Sequence, residues 1–487
     1  MSGMYEAYAQ ALAKRKPMEA QVPKAEGERL SFPALGLDAK FVRALKTAFP
    51  DVQQPTEVQE RLIPEVLGKR DILLKDATGT GKSFGLVVGL LNKPRMVVHD
   101  EKGGKRRVVT TLFVVPHRDL AYQLFHWVER LTGALRPSPA LPSIAQILVR
   151  GSGKTKERVV GELRETPPHI LICTPQALME VYREDKEALQ LDTVSTVVVD
   201  EVDYLVETDG RKVKKHAGPT REILDVIYRK RKELCEKEYM AEEEQYESVA
   251  EWRNAREEEE GIPQLIVSSA TLRVHFKNHL FEESGWLNSY NLVKISGQKA
   301  VQPGKVQHSI LVVTETGIRN VEGAVEGPRE EAVVRERAEE AAEESLEAIA
   351  TAFALHVPSI ALLVIPSSAP VHRVVHELRG LGVNAEGLDV RAYLADGDAQ
   401  TVQDGPRLLV GTVATTRGLD MPELSHVFVL GVPEGRAVDG YTHIAGRVGR
   451  FGRRGRVVSV VTAAESRRMM RILRALGERP VLFEHFD

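Results

Sequence analysis

Lys82 and Ser83 close a run of small residues, Asp76-Ala77-Thr78-Gly79-Thr80-Gly81-Lys82-Ser83, that follows the apolar stretch Ile72 to Leu74. Such a run lets backbone N–H groups turn inward around phosphate oxygens; the lysine can reach the outer oxygens and the hydroxyl can ligate Mg²⁺. Downstream, Thr196-Val197-Val198-Val199 ends in Asp200-Glu201-Val202-Asp203. β-branched residues ending in acids read as a buried parallel strand that delivers carboxylates at its C-terminal end, where open α/β sheets hold ligands. Each stretch alone has a plain reading, a loop or a helix start. In this order on one chain they point to a nucleotide and its metal ion.

The elements around them must hold these groups together. Phe41, Leu45 and Phe49 recur at helical spacing, and Pro55-Thr56 starts a second helix through Val58, Leu62 and Ile63, which carries Gln59 toward the phosphate loop. A neutral amide such as Gln59 can pair with an adenine edge and an aromatic such as Phe32 can stack on its face, although these residue types also serve as surface and core. Apolar runs at Thr111 to Val115, His169 to Ile172, Thr196 to Val199 and Gln264 to Val267 alternate with helical segments, which predicts a parallel sheet covered on both faces. After the last of these, Ser269-Ala270-Thr271 can bond the acids of the neighbouring strand end or cap a helix.

Between Asp203 and Ser269 the chain is long and strongly charged, and we expect an insertion at about 206–262 with a solvated face, either a protruding helix pair or a docking surface. A second charged run spans Glu326 to Glu347. Gly297, Pro303 and Gly304 mark a linker at 296–306. Beyond it the alternation resumes with Ile360 to Ile365, Arg407 to Val410 and His426 to Leu430, predicting a second parallel α/β domain without a phosphate loop. This half carries Arg417-Gly418-Leu419-Asp420 and His443-Ile444-Ala445-Gly446-Arg447-Val448-Gly449-Arg450. Arginines three apart among glycines suit clamping a phosphate, or form a basic nucleic-acid patch.

Composition narrows the class without naming it. The 487 residues exceed what one core supports, and 43% hydrophobic content is that of folded domains. With 66 Lys and Arg against 69 Asp and Glu, any nucleic-acid site must come from local clustering. Two cysteines, Cys173 and Cys235, far apart, exclude a disulfide framework and fit a reducing compartment. No run of about twenty apolar residues suggests a membrane span.

Taken in order, these stretches resemble the DEAD-box RNA helicases of superfamily two, from Phe32 to about Val460. Phe32 and Pro55-Thr56…Gln59 resemble the adenine-reading segment, Asp76 to Ser83 the phosphate loop, Asp200-Glu201-Val202-Asp203 the signature tetrapeptide and Ser269-Ala270-Thr271 the coupling segment. Thr412…Asp420 and Tyr441…Arg450 resemble the motifs of the second domain. The chain departs from the family pattern at several places. The usual alanine is Asp76, the Gly-Gly pair is Arg150-Gly151, Thr-Pro-Gly-Arg has become Thr174-Pro175-Gln176-Ala177, and the first arginine of the last motif is Ile444.

The resemblance implies an α/β fold of two tandem RecA-like domains, each a parallel sheet with helices on both faces, at 29–295 and 307–487, after an N-terminal extension at 1–28. It implies an ATP hydrolase that unwinds RNA locally or remodels RNA–protein complexes; the rival reading is an ATP-gated RNA clamp. ATP would meet Phe32, Gln59, Thr78, Gly79, Thr80, Gly81, Lys82, Ser83 and Asp420, with Mg²⁺ on Ser83 and Asp200. Lys82, Asp200, Glu201, Arg447 and Arg450 would carry catalysis, Glu201 by orienting water and the arginines by meeting the γ-phosphate. Asp203, Ser269, Thr271 and His443 would couple the sites, and RNA would touch Pro116, Arg118, Gly151, Thr174, Pro175 and Thr412. The drift of the RNA-facing stretches resembles fungal organellar members acting in mitochondrial large-ribosome assembly. That likeness implies ribosomal RNA, pre-ribosomal partners, a monomer and the mitochondrial matrix in preference to the nucleolus or cytoplasm.

Overall fold

The computed structural model describes residues 29–99, 105–206, 208–209, 212–213, 218–232, 262–272, 274–288, 291–297, 306–314, 317–321, 338–357, 359–399, 405–433, 437–450, 453–484 and 486. The expected N-terminal extension, most of the expected linker, and residues 233–261 and 322–337 of the charged runs lie outside the described residues. The chain divides into two compact units between Gln298 and Lys299.

In the first unit the strands are β1 (Asp71–Lys75), β2 (Thr111–Val114), β3 (Ala145–Leu148), β4 (Ile170–Cys173), β5 (Thr196–Val199), β6 (Gln264–Ser269) and β7 (Leu292–Ser296). They form one sheet in the order β7-β1-β6-β5-β2-β4-β3, and every pairing in it is parallel. All residues of β2, β4, β5 and β6 are buried, as a sheet covered on both faces requires. Because the strands run one way, their C-terminal ends share one edge. The phosphate loop, the Asp200-Glu201 pair and Ser269-Ala270-Thr271 leave the adjacent strands β1, β5 and β6, whereas Pro116, Gly151 and Thr174 follow β2, β3 and β4. The sheet order thus separates nucleotide chemistry from the residues assigned to RNA.

Three helices position the phosphate loop. Asp38 caps α1 (Ala39–Ala48), accepting from the Lys40 and Phe41 amides. Thr56 and Gln59 form a capping box at the start of α2 (Glu57–Leu67), and α3 (Lys82–Asn92) begins on the loop itself. α2 lies so close on α3 that a Cβ at Gly85 would stand 2.9 Å from the Gln59 Cγ and one at Gly89 2.8 Å from the Val66 Cγ1. Further along, α4 (Arg118–Ala134) and α5 (Pro175–Glu184) follow β2 and β4.

Part of the charged insertion lies within the described residues. Its part nearest Asp203 folds into the unit: α6 (Pro219–Ile227) buries Ile223 and Leu224, and Tyr228 and Arg231 beyond it are also buried. The Arg231 Nη1 donates to the Asp71 Oδ2 at 2.8 Å, and Asp71 also accepts from the Leu265 and Asn288 amides, each at 2.7 Å. Ile223, Leu224 and Tyr228 make an apolar face of the kind that a helix with one solvated side requires, and Arg231 is neutralised at the foot of β1. With exposures of 4% and 2%, this pair is shielded from water. Arg231→Met should therefore leave the buried Asp71 charge without its guanidinium and destabilise the chain by about 3–5 kcal/mol, measured by urea unfolding. A loss under about 1 kcal/mol would mean that the ion pair does not anchor this segment.

The second unit contains β8 (Val306–Thr314), β9 (Gly317–Asn320), α7 (Ala338–His356), β10 (Ile360–Ile365), α8 (Val371–Gly380), β11 (Ala385–Gly387), β12 (Arg407–Thr412), β13 (Leu424–Leu430), α9 (Ala437–Ala445), β14 (Gly455–Thr462) and α10 (Ala463–Leu476). The sheet order is β9-β8-β14-β13-β10-β12-β11. The sheet is parallel apart from its edge, where β9, a short strand the sequence did not announce, pairs antiparallel with β8. A short hairpin suffices to join antiparallel neighbours, and the Thr314 hydroxyl closes it on the Gly317 carbonyl at 2.7 Å.

Candidate functional site

The phosphate loop turns through Gly79 and Gly81, whose φ values of 79° and 88° lie in the left-handed region that favours glycine. Gly81 has a second reason to lack a side chain: a Cβ there would lie 2.5 Å from the Gln59 Nε2. Lys82, 6% exposed, folds back and donates to the carbonyls of Asp76, at 2.7 Å, and Ala77. An anion entering the loop must draw the ammonium away from these two oxygens.

Across the sheet edge, the Ser83 Oγ donates to the Asp200 Oδ2 at 2.6 Å, joining residues 117 positions apart. Asp200 is 1% exposed. Burial pushes its carboxyl above the usual range and the Glu201 charge adds to that, while Ser83 and Lys82 act in the opposite direction. A hydroxyl and a carboxylate in contact suit a hard cation that completes its shell with water and phosphate oxygens. Among the described residues no three His, Cys, Asp or Glu gather as a metal cage, which this kind of site does not require. Glu201 adopts φ 54°, unusual for a non-glycine residue, and its amide donates to the Asp200 Oδ1 at 3.1 Å. Left-handed backbone at such a position costs about 1–3 kcal/mol and is typical of functional sites.

Asp203 carries the next layer. Its Oδ1 accepts from the Ser269 Oγ at 2.5 Å and its Oδ2 from the Thr271 Oγ1 at 2.7 Å. The Thr271 amide also donates to the Ser269 Oγ at 3.0 Å. Of the two readings the sequence left open, Ser269 takes the first, bonding the acid, and its hydroxyl also holds its own turn. The network ties the end of β6 to the residues that follow β5.

The base-reading residues sit differently from expectation. The Gln59 amide is occupied on both sides: its Oε1 accepts from the Thr56 amide and its Nε2 donates to the Gly81 carbonyl, each at 3.0 Å. Its role in this structure is to fasten α2 to the phosphate loop. Phe32, expected to stack on a base, is 2% exposed and packs inside the unit; stacking requires the ring to turn out. Beside the loop lies a cavity of about 200 Å³ lined by Thr56, Arg61, Asp76, Thr80 and Gly297 among others. Sequence reading missed Arg61 and Gly297. Arg61 donates to the Ser296 carbonyl at 2.7 Å, and Gly297 lies so near Asp76 that a Cβ there would fall 1.8 Å from its Oδ1. The signal was present in the odd acid at position 76, where this family's pattern has alanine.

In the second unit, Arg447 and Arg450 leave the turn that follows α9 and reach Leu419 and Asp420, in the segment between β12 and β13. Arg447 is 1% exposed; its Nε donates to the His443 carbonyl at 2.9 Å and its Nη1 to that of Leu419. In this structure the Arg447 guanidinium is held on those two carbonyls, and contact with a phosphate requires it to leave them. Arg450 pairs with Asp420, and donates to the Gly446 and Leu419 carbonyls at 3.0 and 3.1 Å. His443, 4% exposed, meets the Arg417 Nη2 through its Nε2 at 2.7 Å. Thr412, at the end of β12, bonds the Thr415 hydroxyl at 3.1 Å.

The residues assigned to RNA in the first unit lie on one half of the edge. Arg118 is 61% exposed in its side chain at the start of α4, and Gly151, exposed after β3, has φ 71°. Pro116 is half-buried, and Thr174 and Pro175 are buried at the start of α5. Arg150, which occupies a glycine position of the family pattern, is held by Glu180 at 2.8 Å.

Residues 56–276 match the DEAD/DEAH box helicase family, and residues 399–452 match the helicase conserved C-terminal domain. The chain belongs to the DEAD/DEAH box helicases. It is 32% identical over 154 residues to the DEAD-box ATP-dependent RNA helicase CshB of Listeria monocytogenes, covering 32% of each chain. It is 30% identical over 195 residues to the probable ATP-dependent RNA helicase DDX28 of Mus musculus, covering 40% of this chain and 34% of that one. The DEAD/DEAH box chain thus spans about a third of the length of the curated relatives it matches. Its fold matches the helicase Mss116 bound to single-stranded RNA and UDP-BeF, with TM-score 0.64 and 18% identity over 94% of this chain and 80% of that one. It also matches S. cerevisiae Dbp5 bound to RNA and ADP BeF3, with TM-score 0.60 and 17% identity over 92% of this chain and 94% of that one.

Proposed function

We propose that this DEAD/DEAH box chain is an ATP-dependent RNA helicase that couples ATP hydrolysis to local duplex unwinding or RNA–protein remodelling. The observation that carries the proposal is the continuous set of contacts from Ser83 to Asp200, and from Asp203 to Ser269 and Thr271. It supplies a phosphate and cation site at one end and a lever on β6 at the other. The names of the relatives, RNA helicases each, support RNA as the substrate.

Ser83 and Asp200 would hold Mg²⁺, which shields and draws charge on the β and γ oxygens. Lys82 leaves the loop carbonyls for the same oxygens, Glu201 orients the attacking water, and Asp420 is assigned to the ribose. Arg450 supplies the charge that stabilises the transition state. The assignment of residues 29–295 and 307–487 to two RecA-like domains belongs to this proposal. RNA bent on binding cannot remain in an A-form duplex, so unwinding is local.

The finer reading, ribosomal RNA as target, pre-ribosomal partners and a monomer in the mitochondrial matrix, rests on the drift of Arg150-Gly151, Thr174 to Ala177 and Ile444 toward the pattern of organellar members. Among the described residues no helix is long and apolar enough to cross a membrane.

Phosphate release from ATP with and without single-stranded RNA tests the proposal, with GTP as comparison. RNA should raise turnover with ATP and much less with GTP, since Gln59 joins the base-reading segment to the loop. RNA retention without turnover would instead make the chain an ATP-gated clamp. GTP turnover equal to that with ATP would remove Gln59 and Phe32 from base choice.

A further inference from the structure

The last helix of the second unit, α10, has an arginine face. Its buried side carries Met469, Ile472 and Leu473. Arg467, Arg468, Arg471 and Arg474 are all exposed. At 3.6 residues per turn these four fall within about 120° of arc, and from Arg467 to Arg474 the helix rises about 10 Å. Among the described residues, no ion pair or hydrogen bond engages the side chains of Arg468, Arg471 or Arg474. The only acid in the helix, Glu465, is committed to the capping box, accepting from the Thr462 amide at 3.0 Å and its hydroxyl at 3.1 Å.

The face stands out in a chain whose formal net charge is −3. A solvated helix face in such a protein ordinarily mixes both signs, and unscreened like charges at i, i+3 and i+4 destabilise a helix. Here arginine occupies every basic position. The planar guanidinium forms paired hydrogen bonds to phosphate oxygens and is less strongly hydrated than an ammonium, so a row of arginines without lysine suits a phosphate backbone. No aromatic residue lies within the helix, which leaves no platform for stacking bases.

We propose that Arg468, Arg471 and Arg474 form an accessory binding face for the phosphate backbone of RNA, separate from the strand-end edge of either sheet. The inference rests on the RNA-binding reading above. It reads charge and backbone, not sequence, and it lengthens the stretch of RNA held by the full chain beyond that at Thr412.

The test is the salt dependence of RNA binding by the full chain, using a single-stranded oligonucleotide of mixed sequence, for the wild type and for R468Q/R471Q/R474Q. Three neutralised phosphate contacts lower the log–log slope by about 2, because each contributes about 0.7 on a single strand. Between 50 and 200 mM salt the wild type should thus lose about 20-fold more affinity than the variant. RNA-independent ATP hydrolysis and the thermal transition should be unchanged, since the three side chains are exposed and outside the phosphate loop. R468K/R471K/R474K should retain the wild-type slope. A wild-type slope in the glutamine variant overturns the inference. Absence of salt-dependent RNA binding by the wild type would overturn the RNA-binding reading itself.

Discussion

Glu201→Gln should keep ATP binding and slow hydrolysis by roughly 10²-fold or more, the scale on which a positioned acid–base group contributes. The amide has the shape of the carboxylate and can keep the packing of a side chain that is 4% exposed. It cannot accept a proton from water or orient the nucleophile with full charge. The left-handed backbone at φ 54° is independent of the side-chain charge and should survive the change. The variant removes a negative charge beside Asp200, whose carboxyl that charge helps to raise. Asp200 should therefore ionise more readily and hold a cation at least as well, so complexes with ATP and RNA should accumulate. Nucleotide binding by fluorescence and single-turnover phosphate release separate the two effects. Unchanged turnover with unchanged binding would remove Glu201 from the chemistry.

The groups at this site were legible because each is announced by its local pattern. A lysine and a serine after glycines, and acids after a β-branched run, need only a strand before them to be brought to one edge, and the parallel order β1-β6-β5 does so. The Asp203 network was legible for the same reason, as both its ends lie at strand ends. What could not be read were the pairings made by long side chains across the fold. Arg231 finds Asp71 across 160 residues. Arg447 occupies a motif position but is held on carbonyls. Gln59 has the donor and acceptor an adenine needs, yet the capping box and Gly81 each engage one of them, which no spacing records. The antiparallel edge strand β9 was missed because a short hairpin strand leaves a weaker pattern than a strand followed by a helix.

Arg450 is where the proposed mechanism commits itself most. In the structure its guanidinium is held on Asp420 and on the carbonyls of Gly446 and Leu419, and its side chain is 7% exposed. Those contacts aim the side chain from the turn after α9 and compensate its charge until a stronger anion replaces the carboxylate. A γ-phosphate whose charge shifts during transfer is such an anion, so the exchange should be worth most in the transition state. Arg450→Ala should then lose about 10³–10⁵ in turnover with little change in ATP affinity, the contribution typical of an arginine that meets a transferring phosphoryl group. Part of any loss could reflect an uncompensated Asp420, so Asp420→Asn on the wild type serves as the comparison: it frees the arginine without removing it. If Arg450 acts on phosphate, Asp420→Asn keeps far more turnover than Arg450→Ala. If the pair is only structural, both variants lose stability to a similar degree and neither loses turnover selectively. An arginine that touches RNA phosphate alone would lower the salt slope of RNA binding by about 1 and leave turnover near normal at saturating RNA. Single-turnover hydrolysis at saturating ATP and RNA decides among these, and near-wild-type rates in Arg450→Ala would sink the role assigned to it.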